Sequence, residues 1–219
     1  MDFPLASLRT SDVYALLTSL VVPRPIAWVT TVDAAGGTNL APFSYFQALA
    51  SDPALLTLAV SDKRDGTLKD TARIAQQTGA LCVHLVEEPN LNAMNGSSAE
   101  LPPGQSEIEL LGLATVPCTA ISGVRLVAAR AALECKLVDV HRYGRKAKVS
   151  LLVCEVVHAH LDDAILERAT DHPAEPARDL TESLRKTVDP RRIAPLARLG
   201  GSTYATLGTL ISKERPKAG

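Results

Sequence analysis

The chain has 219 residues, 46% of them hydrophobic, with 23 Lys and Arg against 24 Asp and Glu. That length supports one well-buried core, so residues 1–219 are read as a single domain with 164–219 as peripheral wrapping. The near-cancelling charge leaves no broad footprint for nucleic acid or an anionic membrane, and any anion site must be local.

The N-terminus carries Asp2 where an export signal needs positive charge, and its apolar run at 16–22 is broken by Thr18 and Ser19. No apolar stretch approaches the roughly 20 residues of a membrane-spanning helix. The expectation is a soluble, cytoplasmic protein. Residues 26–33 (IAWVTTVD) are rich in β-branched and aromatic residues and are closed by 34–37 (AAGG), the pattern of a hairpin. Thr38 starts the return strand, and Pro42, which has no N–H for a ladder, is expected to end or bulge it, freeing nearby backbone groups for a ligand.

Residues 55–60 (LLTLAV) form a short apolar run between SDP and SDKRDG, hence a buried strand. A helix follows: Thr67 and Asp70 make a T-x-x-D capping box, Leu68, Ala72 and Ala75 share a face, and Gly79 is the stop. Further strands are expected at 80–86, 125–127, 131–140 and 149–160, with short helices near 90–95 and 180–188 and a turn opened by Asp189-Pro190. Short strands with irregular helical insertions favour a mainly β, antiparallel barrel with peripheral helices over a doubly wound sheet. Neither a G-x-G-x-x-G nor a P-loop pattern occurs.

Two stretches carry chemistry. Around 61–71, Ser61, Arg64, Lys69 and Thr71 gather cations and hydroxyls at a helix start, where free amides and the positive dipole end attract a phosphate. The same residues also read as a polar loop before an ordinary capped helix. Around 38–46, Asn39, Ser44 and three aromatics offer apolar faces and polar edges suited to a flat heteroaromatic ring. Phe43 and Phe46 also read as core.

Cys82, Cys118, Cys135 and Cys154 are widely spaced and read as buried structural thiols. His158 and His160 share a strand face near Asp162 and Asp163, but too few ligands converge for a metal, so hydrogen bonding is favoured. No G-x-S-x-G elbow supports hydrolysis.

The order RPIAWVTTVD, NLAPFSYF, SDP and KDT, followed by GLATVPC, LEC, EVVHAHLDD and ARLGGSTY, resembles the flavin reductase-like proteins. The resemblance covers most of the chain from Ser11 onward. It implies an antiparallel Greek-key split β-barrel that binds FMN. Thr30, Asn39, Leu40, Ala41, Pro42 and Ser44 would line the ring and ribityl chain, and Ser61, Arg64, Lys69 and Thr71 would hold the phosphate. It also implies a homodimer, with Arg198 and Tyr204 completing the pocket from either subunit. Arg73 and His84 stand where the family often carries Asn, and Val124-Arg125 replaces a proline-containing step.

The leading expectation is an NAD(P)H-dependent flavin oxidoreductase in which NADH or NADPH gives hydride to FMN and no side chain acts as general acid or base. The alternatives are an FMN redox carrier reduced by a partner protein and a flavoprotein acting on one organic substrate. The basic loop at 142–148 is the hint of a nicotinamide phosphate site.

Overall fold

A computed structural model describes residues 2, 4–102, 104–166, 188–213 and 216. Its centre is a seven-stranded antiparallel sheet of order β3-β2-β6-β9-β10-β5-β4. The strands are β2 (Ala27–Val32), β3 (Thr38–Phe43), β4 (Phe46–Ser51), β5 (Ala54–Ser61), β6 (Ala80–Leu85), β9 (Ala131–Tyr143) and β10 (Val149–Leu161). Strands β3 and β4 are the two edges of that order, yet only Ser44 and Tyr45 connect them. Two residues cannot cross a flat sheet of seven strands spaced about 4.8 Å apart, so the sheet curls until its edges meet. Edges that meet without a hydrogen-bonded ladder make a split barrel.

The hairpin forms where the sequence places it. Asp33 Oδ1 accepts from the amides of Ala35 (2.9 Å) and Gly37 (2.8 Å), and Gly36 takes a positive φ of 89° that an L side chain would resist. The expected break at Pro42 does not occur: β3 continues through Pro42 to Phe43, with Pro42 opposite Trp28. The reason is position. On an edge strand, alternate residues turn their N–H and C=O away from the partner, and Pro42 occupies one of those outward places.

The expected helix forms as α2 (Asp70–Thr78), ended by Gly79 at φ 71°, but the capping box is a correction. Lys69, not Thr67, precedes the helix, and no side chain caps it. The Thr67 amide and hydroxyl both bond Asp65 Oδ1, at 2.9 and 2.6 Å, so the polar turn captures the intended cap locally.

Strand β2 is buried on both faces, which explains its unbroken apolar run. Ala27 and Val29 face a core with Leu58, Val60, Leu81 and Leu152, joined by Ala72 and Ala75 of α2. Trp28 and Leu40 face a second core with Met94 of α3 (Leu91–Gly96), Ile108 of α4 (Glu107–Leu110), Leu126 of β8 (Val124–Leu126) and Leu196. The hairpin of β7 (Thr115–Pro117) with β8 covers this side.

An N-terminal helix, α1 (Thr10–Leu20), and a small sheet of β1 (Arg24–Pro25), β11 (Ala197–Arg198) and β12 (Tyr204–Ala205) lie outside the barrel. Pro190 opens a short helical turn after Asp189, as expected. The helix expected at 180–188 lies outside the described residues up to 187, and Val188 bridges Leu166. Cys82, Cys135 and Cys154 are buried, while Cys118 is half-buried.

Candidate functional site

The open edge of β3 and the first turn of α2 form one continuous surface. Asn39 joins them: its Nδ2 donates to Thr71 Oγ1 (2.9 Å) and to Thr31 Oγ1 (3.1 Å). Thr71 is buried, so its hydroxyl supports Asn39 from beneath the helix start.

The helix start has the electrostatics an anion needs. The amides of Asp70, Thr71 and Ala72 have no acceptor among the described residues, because the first helical bond is Arg73 N to Lys69 O at 3.0 Å. Asp70, the carboxylate of that turn, is bonded by Lys63 Nζ (2.8 Å) and Arg73 Nη2 (2.7 Å). Burial opposes its charge, yet those two cations hold its carboxyl below the usual range. Lys63 and Arg73 are thereby spent on Asp70, whereas Arg64 and Lys69 have no ion pair among the described residues. Arg64 and Ser61 are exposed at the end of β5 and in the turn after it.

Along β3 the picture is more restrictive than the sequence suggests. The Leu40 side chain is fully buried, and its outward amide donates to Glu107 Oε2 at 2.9 Å. Burial raises the Glu107 carboxyl above its ordinary value, with the Leu40 amide opposing. Pro42 has no amide, so the expected donors near it reduce to the amides of Ser44 and Tyr45, which have no acceptor among the described residues. Ala41 packs toward the barrel core. Thr30 is buried and its hydroxyl donates to Val124 O at 2.6 Å, which pins the β7–β8 hairpin to the barrel.

Pro42, Ser44, Arg198 and Tyr204 converge on a cavity of about 200 Å³, together with Tyr14 and Asn95. The Arg198 guanidinium lies 4.4 Å from the Tyr204 ring centroid, and Tyr204 Oη donates to Asn95 Oδ1 at 3.0 Å. Asn39 borders a different cavity of about 160 Å³, beside Lys63, Asp70 and Glu107. Ser61, Arg64, Lys69 and Thr71 border neither.

Sequence reasoning missed Arg24. It is buried, donates to the carbonyls of Thr18 in α1 (2.6 Å), of Val21 just after it (2.8 Å) and of Leu199 (2.8 Å), and reaches Ser44 Oγ at 3.4 Å. An arginine between two prolines is the available signal, since the partners that tie it to the site and to the C-terminal segment are 20 and 175 residues away. A further cavity, of about 380 Å³, lies on this side of Ser44, walled by Leu17, Val21, Tyr45 and Phe46.

The comparisons with known proteins agree on the lineage. A family model described as "Flavin reductase like domain" matches residues 19–176. The uncharacterized protein BH2278 of Halalkalibacterium halodurans is 40% identical over 214 residues, 96% of this chain and 94% of the relative. The structure is similar to nitrilotriacetate monooxygenase component B from Bacillus cereus, with a TM-score of 0.86, 31% identity and coverage of 97% and 98% of the two chains. It is also similar to the 2-nitrobenzoate 2-nitroreductase NbaA of Pseudomonas fluorescens, with a TM-score of 0.78, 26% identity and full coverage of both chains.

Proposed function

The chain belongs to the flavin reductase-like family, and from that premise we propose that it binds FMN across the β3 edge and the α2 N-terminus. Arg64, Lys69 and the amides of residues 70–72 would hold the phosphate, with Ser61 beside them. Pro42, Ser44, Arg198 and Tyr204 would flank the ring, with the Ser44 and Tyr45 amides as donors to its polar edge. The observation that carries this reading is the pairing of Asp70 with Lys63 and Arg73, which leaves two other cations beside three unbonded amides. Asn39, Thr30, Leu40, Ala41 and Thr71 shape and brace the site from behind.

When bound, FMN would supply reversible electron transfer between a reduced nicotinamide and an acceptor. The protein's part is to bind, orient and shield: Arg24 and Asn39 fix the Ser44 connection and the helix start before any ligand arrives. The activity we infer is NAD(P)H-dependent flavin oxidoreduction, in a cytoplasmic homodimer. The second subunit would cover the exposed Tyr14 and Leu17 of α1, Val21 just after it, Tyr45 just before β4 and Leu49 within it.

Titration with FMN and riboflavin tests the site. The double variant Arg64→Ala, Lys69→Ala is expected to lose at least tenfold in FMN affinity and little in riboflavin affinity. Equal FMN affinity would overturn the phosphate assignment. NADH and NADPH oxidation with FMN tests the activity.

A second reading, an FMN carrier reduced by a partner protein, is favoured by one observation. Arg142, at the head of the basic loop, is engaged by Asp62 at 2.6 and 2.8 Å, which weakens that loop as a nicotinamide phosphate site. Protein that binds FMN but oxidises neither nicotinamide would select this reading, or reduction of an organic substrate as named for NbaA.

A further inference from the structure

A separate cavity lies where β8, the start of β9 and the end of β10 meet. It is an open pocket of about 410 Å³, within the range of small-molecule sites, and shares no residue with the flavin surface. Its polar wall is Arg125, Arg130, His160 and Asp162, and its apolar wall includes Val127 and Leu161.

Three of the four polar groups are already matched. Arg130 Nε meets Glu87 Oε1 and Oε2 at 2.9 and 2.8 Å, and its Nη2 donates to Arg192 O at 2.5 Å. His160 Nε2 lies 2.5 Å from Glu134 Oε1. Asp162 Oδ1 accepts from the Ala164 amide at 2.7 Å. Arg125 is different: among the described residues it has no carboxylate partner, and its buried Nε has no acceptor. Arg125 as a whole is half-buried, but leaving its buried Nε–H unmet costs about 1–3 kcal/mol, so an acceptor that reaches that donor is favoured there. The planar guanidinium fork matches the two oxygens of a carboxylate or a phosphate.

We propose that this cavity binds a small organic anion, with one carboxylate or phosphate group on Arg125 and an apolar portion against Val127 and Leu161. His160 and Arg130 bound the anion without being its primary partners, since each keeps its own carboxylate. The proposal does not rest on the flavin reading. It also gives a role to Arg125, which replaces part of a proline-containing step of the family pattern.

The test is NMR titration of the purified full chain with benzoate and, separately, with inorganic phosphate at constant ionic strength. The Arg125 Nε–H and His160 ring signals report this cavity, and the Arg125→Gln spectrum assigns the former. The expected result is a saturable shift of both signals by at least one probe, with affinity at least tenfold weaker in Arg125→Gln and weaker in Arg125→Lys, which keeps the charge but not the fork. Saturation by benzoate alone identifies a carboxylate ligand, and saturation by phosphate alone a phosphorylated one. Absence of saturation with both probes, or equal affinity in the Lys variant, would overturn the proposal. The Lys variant keeps the comparison available where Arg125→Gln fails to fold.

Discussion

Asn39 Nδ2 donates to Thr71 Oγ1 across 2.9 Å, so a single side-chain amide ties the open edge of β3 to the first turn of α2. The two halves of the candidate site are therefore one mechanical unit. Asn39→Leu leaves the Thr31 and Thr71 hydroxyls without their donor and should lower stability by about 1–3 kcal/mol. It should also weaken FMN binding, because the helix start is no longer held against the strand. Urea unfolding and FMN titration of the same preparation check both outcomes; intact flavin affinity in a destabilised protein would separate the two roles.

Asp70 offers a test of opposite sign. Replacing it with Asn removes a negative charge from the proposed phosphate site and releases Lys63 and Arg73 from their 2.8 and 2.7 Å contacts. FMN affinity should rise by about two- to fivefold, as expected for a screened charge near the surface. Riboflavin affinity should not change, and helix stability should fall by about 0.3–1 kcal/mol. Binding isotherms at low and high salt check this, since the gain should shrink as salt is added.

The contrast between Asn39 and Thr67 shows what was legible in the sequence. The hairpin, the strand at 55–60 and the Gly79 stop follow from short-range signals, and each forms. Most of the flavin-family segments fall on the barrel they imply, and ARLGGSTY falls on the small sheet beside it. Thr67 has the right spacing for a cap, but Asp65 is nearer and takes its hydroxyl, an outcome set by three-dimensional competition within the turn. Strand β4 escaped notice because it is exposed along nearly its whole length, so no apolar alternation marks it. Glu107 and Glu134 are positioned by partners distant in sequence, and Arg24 by two distant partners besides two nearby carbonyls. For Glu134 the signal was present as a lone acid in the strand run ALECKLV.

Glu134 itself is wholly buried and accepts from the amides of Thr119 and Ala120 (2.6 Å each) and Ile121 (3.2 Å), besides His160. Burial alone would raise its carboxyl, but the Thr119 amide, His160 and the Ala120 amide outweigh it and bring the pKa down to about 2. A depressed folded-state value gives stability that is present above the unfolded value and lost as pH falls through the folded one. Glu134→Gln substitutes a donor for one of two acceptor oxygens and should cost about 2–4 kcal/mol, loosening the 118–123 loop first. Hydrogen exchange at Thr119 and Ala120 measures the loop directly; unchanged protection there would refute the assignment.

His84 governs a different pH window. It is fully buried, with Nδ1 2.8 Å from Trp28 O and Nε2 accepting from the Leu126 amide at 3.0 Å, so the neutral ring bridges β2 and β8. Burial lowers its pKa to about 4, against a partial opposing effect of the Trp28 carbonyl. The unfolded chain therefore binds the proton more readily than the folded one. Stability is fully present above about pH 6.5 and falls as pH drops toward 4, by about 3 kcal/mol in all. His84→Asn keeps one donor for Trp28 O and one acceptor for the Leu126 amide but has no proton to take up. Its stability at neutral pH should be lower, because the shorter side chain reaches both partners less well. Between pH 6.5 and 4 its stability curve should be flatter than that of the unaltered protein. Chemical denaturation at half-unit pH steps checks this: parallel curves for the two proteins would mean that His84 does not control the acid limb, while converging curves would place that limb on the buried ring.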